Sequence, residues 1–290
     1  MPANLPLDPN SLPPGTKVGG DYTVEARIGG SGQRALYRVS RGTRISMLKI
    51  STAERASVKE VKRIPAHDRL LGEVSILLGL SHRNVVELSA QGWWPDASDG
   101  YPYFVMDHVE GDPVLRWQEK TRPSLRAICG VFQQVADALR VLHEMGIVHR
   151  DVKSDNLLVR QDGTPVMVGF GRAGRDVLLI EPRDPVWARD VRKERAKTGE
   201  RYDFKPSDDA RAIGLLLYEM LAGRAPSIFA RRVRAGPRKL NPKVPAALDG
   251  IVIELLEKDP ELRMGALELI GKLKRALYEA DAAWDVPFGA

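Results

Sequence analysis

A single cysteine, Cys129, stands in the whole chain, which excludes an internal disulfide. Its neighbours in AICGVFQQV are apolar, the setting of a buried structural thiol and not of a reactive one. No uninterrupted apolar run approaches the ~18 residues needed to cross a bilayer, so no membrane association is expected. The opening MPANLPLDPN lacks a basic segment followed by an apolar core; no secretory leader is expected, and the expected compartment is the cytoplasm. Aromatic residues make up only 6%, and none are interleaved at stacking distance in the two runs that hold most of the net +6 charge, 183–201 and 231–239. Such runs can attract nucleic acid, acidic partners or phosphate, but without stacking platforms they read as solvated faces, and nucleic acid is not an expected partner.

What is present is an ordinary globular composition, 43% hydrophobic and 28% charged over 290 residues, enough for one large domain or two smaller ones. Residues 1–17 carry five prolines and almost no apolar periodicity, and predict an extended, poorly packed tail. YTVEARI, RALYRV and RISMLKI alternate as strands separated by a glycine loop and a Gly-Thr turn, most simply three antiparallel strands. DRLLGEVSILLGL, residues 68–80, has helical spacing and ends before Ser81 and His82. VVELSAQGWW and YPYFVMDHV read as two further strands around a loop with Pro95, Asp96, Asp99 and Gly100. The chain then turns helical: LRAICGVFQQVADALRVLHEMG with Gly146 as C-cap, the nearly all-apolar ARAIGLLLYEMLAG, and ALDGIVIELLEKD and GALELIGKLKRALYEADAAW near the end. A sheet-rich part followed by a larger helical part is an α+β arrangement. No internal repeat is found.

The chemistry-bearing residues lie in one stretch, HRDVKSDN, just after the first long helix: His149, Arg150, Asp151, Lys153 and Asn156, with Asp151 and Asn156 at the spacing HRDxxxxN. On this motif the sequence resembles the protein kinases over about residues 21–275, and Lys153 points to the serine/threonine branch, in particular its bacterial members. The resemblance implies a bilobal fold: a small antiparallel-sheet lobe with one main helix over 18–107, a larger, mostly helical lobe over 108–280, and a short C-terminal tail, 281–290. It implies that Lys49 in ISMLKI holds the α- and β-phosphates of ATP, that Glu73 pairs with Lys49, and that Asp151 orients the substrate hydroxyl. Lys153 would contact the γ-phosphate, and Asn156 would hold one divalent ion, Mg²⁺ or Mn²⁺. FVMDHVEG resembles the hinge, with Met106 as gatekeeper and the backbones of Asp107 and Val109 facing adenine. Ile28, Gly29, Gly30, Ser31, Gly32, Leu36 and Leu158 complete the implied nucleotide site. Asp209 matches an aspartate that braces the catalytic loop, and Arg263 a late structural arginine.

Three departures from the family pattern stand out. In PVMVGFGRA, Gly169 occupies the position of the metal-binding aspartate of Asp-Phe-Gly, and a glycine offers no side-chain oxygen to a hard cation. Losing that ligand is expected to cost roughly 10²- to 10⁴-fold in rate. Asp155 is a conceivable substitute, although in similar sequences this side chain points away. In IGGSGQRALYRV the pattern GxGxxG keeps only Gly29, with Ser31 and Arg34 at the second and third glycine positions; Arg34 either faces solvent or offers a cation to phosphate. Met47 stands where a small alanine is usual beneath adenine, tightening the base site. Finally, no Ser, Thr or Tyr lies between Phe170 and Lys197, which excludes phosphorylation control in that span. No Ala-Pro-Glu motif precedes Asp209, Thr198 and Tyr202 are the nearest acceptors, and Glu194 is the expected partner of Arg263.

Two classes of function stay open. One is a slow serine/threonine kinase with little dependence on a divalent metal, acting on a protein substrate. The other is a pseudokinase that senses nucleotide or scaffolds a regulatory protein partner.

Overall fold

The structure, a computed structural model, describes residues 8–31, 33–52, 66–96, 100–174, 204–226 and 235–288. These fall into two compact units: residues up to Ser81 with Val86–Val109, and His82–Val85 with all residues from Glu110.

The first unit is built on a six-stranded antiparallel sheet of β1 (Lys17–Val18), β2 (Tyr22–Ser31), β3 (Arg34–Arg41), β4 (Arg44–Ser51), β5 (Leu88–Trp94) and β6 (Tyr101–Asp107), in the order β1-β2-β3-β4-β6-β5. Strict alternation along β3 and β4 sends Ala35, Tyr37, Val39, Leu48 and Ile50 to one face, where they are fully buried with Leu12, Val18, Val24, Trp94 and Val105. The opposite face carries Arg34, Leu36, Met47 and Lys49, all half-buried, because Leu36 pairs directly with Lys49 across the ladder. Helix α1 (Ala66–Leu78) packs against β4, β5 and β6. The expected glycine loop is shorter than its composition suggests: Gly29, Gly30 and Ser31 stay in register with Leu36, Ala35 and Arg34, so β2 and β3 run together almost to their joint.

The second unit has a small sheet of β7 (Gly111–Pro113), β8 (Leu157–Arg160) and β9 (Pro165–Met167), beside α2 (Val114–Thr121), α3 (Leu125–Glu144), α4 (Pro206–Ala222), α5 (Ala246–Leu255) and α6 (Ala266–Tyr278). Ser124 caps α3 by accepting a hydrogen bond from the Ala127 N–H, and Gly146, at φ +73°, takes the left-handed turn that follows it. Cys129 is buried on α3, and burial pushes its thiol up to about 12, so it is a packing group. Among the described residues, no helix is long and apolar enough to cross a membrane.

Several expectations need correction. The segment 8–17 is not a poorly packed tail. The Tyr37 hydroxyl donates to the Pro9 carbonyl and accepts from the Leu12 N–H, both at 3.0 Å, and Leu12 is buried. Residues 281–288 are likewise tied down: Trp284 and Phe288 are buried, Arg126 grips the Asp285 carboxylate, and the Phe288 N–H donates to the Pro123 carbonyl. Residues 82–85 group with the larger unit because the Asn84 side chain donates to the Pro165 carbonyl and the Met167 N–H donates to that of Asn84. Helix α2 had no counterpart in the sequence reading; its eight residues carry only two buried side chains, Val114 and Trp117, too few to mark a period.

Tyr37→Phe removes both hydrogen bonds of the buried hydroxyl and leaves the Leu12 N–H without its partner. A loss of about 1–3 kcal/mol is expected in urea denaturation, with faster amide exchange at Leu12. Unchanged stability and unchanged exchange would show that the 8–15 segment is not anchored through this side chain.

Candidate functional site

In the first unit, β4 and α1 bring Lys49 to Glu73: the ammonium lies 2.8 and 2.7 Å from the two carboxylate oxygens. Glu73 is only 2% exposed, so the carboxylate depends on its cation. Phe104, across from Lys49 on β6, places its ring 5.7 Å from the ammonium. A second cation is also present: the Arg34 guanidinium lies 3.9 Å from Glu73 Oε2. Of the other residues of this unit expected at a nucleotide site, Gly29 and Leu36 face each other in register, Ile28 is exposed, Met106 pairs with Met47, and Val109 is buried. The Asp107 carboxylate is engaged by Arg44 at 2.7 Å and Ser89 at 3.0 Å, while its N–H donates to the Glu87 carbonyl. Gly32 lies outside the described residues.

In the second unit, two adjacent acids in the first turn of α4 have separate tasks. The Asp209 carboxylate accepts the backbone N–H groups of His149 and Arg150, each at 2.8 Å, and meets His143 Nε2 at 2.9 Å. Those bonds hold Arg150 at φ +65°, a left-handed conformation costly for a residue with a Cβ. Asp208 accepts the Lys205 N–H, closing the helix start, and its other oxygen meets the Arg263 guanidinium at 2.9 Å. Asp208 is thus a carboxylate partner of Arg263; the expected partner Glu194 lies outside the described residues with Thr198, Tyr202 and the basic run 183–201.

The loop so braced carries the catalytic candidates. The Asp151 carboxylate, 15% exposed, lies 2.9 Å from Asn156 Nδ2 and 3.1 Å from the exposed Lys153 ammonium. Asn156 Nδ2 also donates to the Asp151 carbonyl at 2.7 Å. Leu158 is half-buried on β8, opposite Val166. Phe170 is fully buried, its ring edge-on to His149 at 4.8 Å, and His149 Nε2 lies 3.2 Å from the Val168 carbonyl.

Gly169 sits between them at φ +80°, and a Cβ added there would lie 2.5 Å from Asn156 Oδ1 and 2.6 Å from its Cγ. The space beside a side chain at 169 is thus already filled by the Asn156 amide. A divalent ion bound in the family's manner needs hard oxygens from both positions. Here position 169 has none, and Asn156, whose amide nitrogen donates to Asp151, brings a single amide oxygen. Among the described residues no group of three His, Cys, Asp or Glu could hold a metal ion, and Asp155 is exposed. The donor set does not fit an anchored divalent cation.

The second unit's braced loop of Asp151 and Asn156, and the first unit's buried lysine-glutamate pair, are each what the resemblance to the protein kinases implies. A family model described as protein kinase domain matches residues 22–272, and the chain belongs to the protein kinase family. It is 30% identical over 273 residues to the serine/threonine-protein kinase Pkn1 of Myxococcus xanthus, covering 86% of this chain and 37% of that one. It is 29% identical over 278 residues to a probable serine/threonine-protein kinase of Clostridium perfringens, covering 90% and 39%. To the serine/threonine-protein kinase PrkC of Bacillus subtilis it is 25% identical over 287 residues, covering 92% and 42%. The chain spans about two fifths of the length of these relatives.

Gly169→Asp should be destabilised by about 1–3 kcal/mol, because the new side chain is strained at positive φ and displaces an amide that makes two hydrogen bonds. Against an Asn156→Ala background the same substitution should cost about 1 kcal/mol less. Additive losses in a denaturation cycle would show that the two positions do not compete for one space.

Proposed function

We propose that this chain binds ATP and transfers its γ-phosphoryl group to serine or threonine hydroxyls of a protein, more slowly than a family member with an acid at position 169. The observation that carries this reading is Asp151, a partly exposed carboxylate fixed by Asn156 and Lys153 on a loop that Asp209 holds in a costly conformation. Such strain persists only where the surroundings enforce it, and it concentrates at functional sites. In this reading Asp151 orients the attacking hydroxyl and takes its proton as the oxygen–phosphorus bond forms and the β–γ bridge breaks, releasing ADP. Lys153 neutralises charge on the moving phosphoryl group, and Lys49, aligned by Glu73, holds the remaining phosphates. Ile28, Leu36, Met106 and Val109 are assigned to the base, with Gly29, Gly30, Ser31 and Gly32 along the phosphate chain. The names of the three relatives support a protein hydroxyl as acceptor.

A second reading, a pseudokinase whose partner is a regulated protein, is favoured by one observation: the side chain of Asn156 fills the space beside Gly169. The readings separate in an assay with γ-labelled ATP and a generic basic protein. Slow incorporation is expected, reduced at least about 10²-fold in Asp151→Asn. Incorporation by the parent chain no greater than by Asp151→Asn would leave only the non-catalytic reading.

A further inference from the structure

Strand β3 places Arg34 and Leu36 on the same face, and Leu36 stands directly across from Lys49, so Arg34 and Lys49 share one half-buried surface. Glu73 faces both cations but bonds only one. Lys49 takes both carboxylate oxygens within 2.8 Å, whereas Arg34, at 3.9 Å, is outside hydrogen-bond range of the carboxylate it faces. A lysine-glutamate pair alone is neutral; with Arg34 the cluster carries one net positive charge. That charge is largely withdrawn from water, since the Arg34 and Lys49 side chains are 23% and 16% exposed, an environment that favours a bound anion. A guanidinium is suited to this, because its planar fork of donors matches two phosphate oxygens at once and cannot lose its proton.

Arg34 stands at the last position of the glycine-rich hairpin, paired with Ser31, where the family pattern has a glycine. Meanwhile the second unit does not fit an anchored divalent cation. We propose that Arg34 and Lys49 together form a two-cation site for the phosphate chain of a nucleoside triphosphate that carries no divalent counterion, so that this chain binds ATP without Mg²⁺ or Mn²⁺. The inference rests on the nucleotide-binding reading above and deepens it. Arg34 supplies, as a fixed guanidinium, part of the neutralisation that a metal supplies elsewhere in the family.

The test is calorimetric titration of the full chain with ATP in EDTA and again in excess Mg²⁺, with adenosine as a probe lacking phosphate. The parent chain should bind ATP in EDTA within about threefold of its affinity in Mg²⁺. Arg34→Gln should weaken ATP binding in EDTA by about tenfold or more, Arg34→Lys should recover part of it, and adenosine binding should not change in either variant. If Arg34 only screens Glu73, Arg34→Gln will lower thermal stability yet bind ATP in EDTA like the parent, and the inference fails. It fails also if the parent binds ATP only when a divalent ion is added. Binding of neither ATP nor adenosine in any buffer would instead remove the nucleotide-binding reading on which it rests.

Discussion

The loop from His149 to Asn156 depends on one buried carboxylate. Asp209 receives two backbone N–H groups in succession, and without it the His149–Arg150 turn would bury two donors with no acceptor while a non-glycine residue sat at positive φ. Leaving such donors unpaired costs about 1–3 kcal/mol each, comparable with the whole strain of the turn, so the acid and the conformation stand or fall together. From that clamp the rest of the second unit's site is placed. His149 presents an edge to Phe170 and meets the Val168 carbonyl, which fixes the strand leading into Gly169, and Asp151 follows with its carboxylate toward Asn156 and Lys153. Because Asp208, one residue earlier, is bound to Arg263 and to the start of α4, the clamp is tied to the buried turn between α5 and α6.

Much of this was legible in the sequence for a physical reason. HRDVKSDN is contiguous, so its residues meet through local turns, and the strands and helices that carry Lys49, Glu73 and Asp209 announce themselves by periodicity. What was not legible depends on partners far along the chain. The proline-rich start has no apolar rhythm, yet it is held by the hydroxyl of Tyr37, 25 residues beyond Leu12. Similarly, Arg263 finds Asp208 55 residues away, a pairing that no local pattern marks. The position of Arg34 could be half read: alternation puts it on the face of Leu36, but only the register β3–β4 shows that this is also the face of Lys49.

The replacement of an acid by Gly169 is more than the deletion of one ligand. A residue at φ +80° costs a glycine nothing, while an aspartate there must be held by compensating bonds, typically those of the cation it binds. Once glycine occupies the site, the neighbouring space is available, and the Asn156 amide lies in it with both of its donor bonds directed at Asp151. The Asn156 amide nitrogen is then bound to Asp151 and position 169 brings no second side-chain oxygen beside Asn156 Oδ1, so restoring the acid must contend with an occupied volume as well as a strained backbone. Changes that reinforce one another in this way make the altered electrostatics of the site a property of several residues.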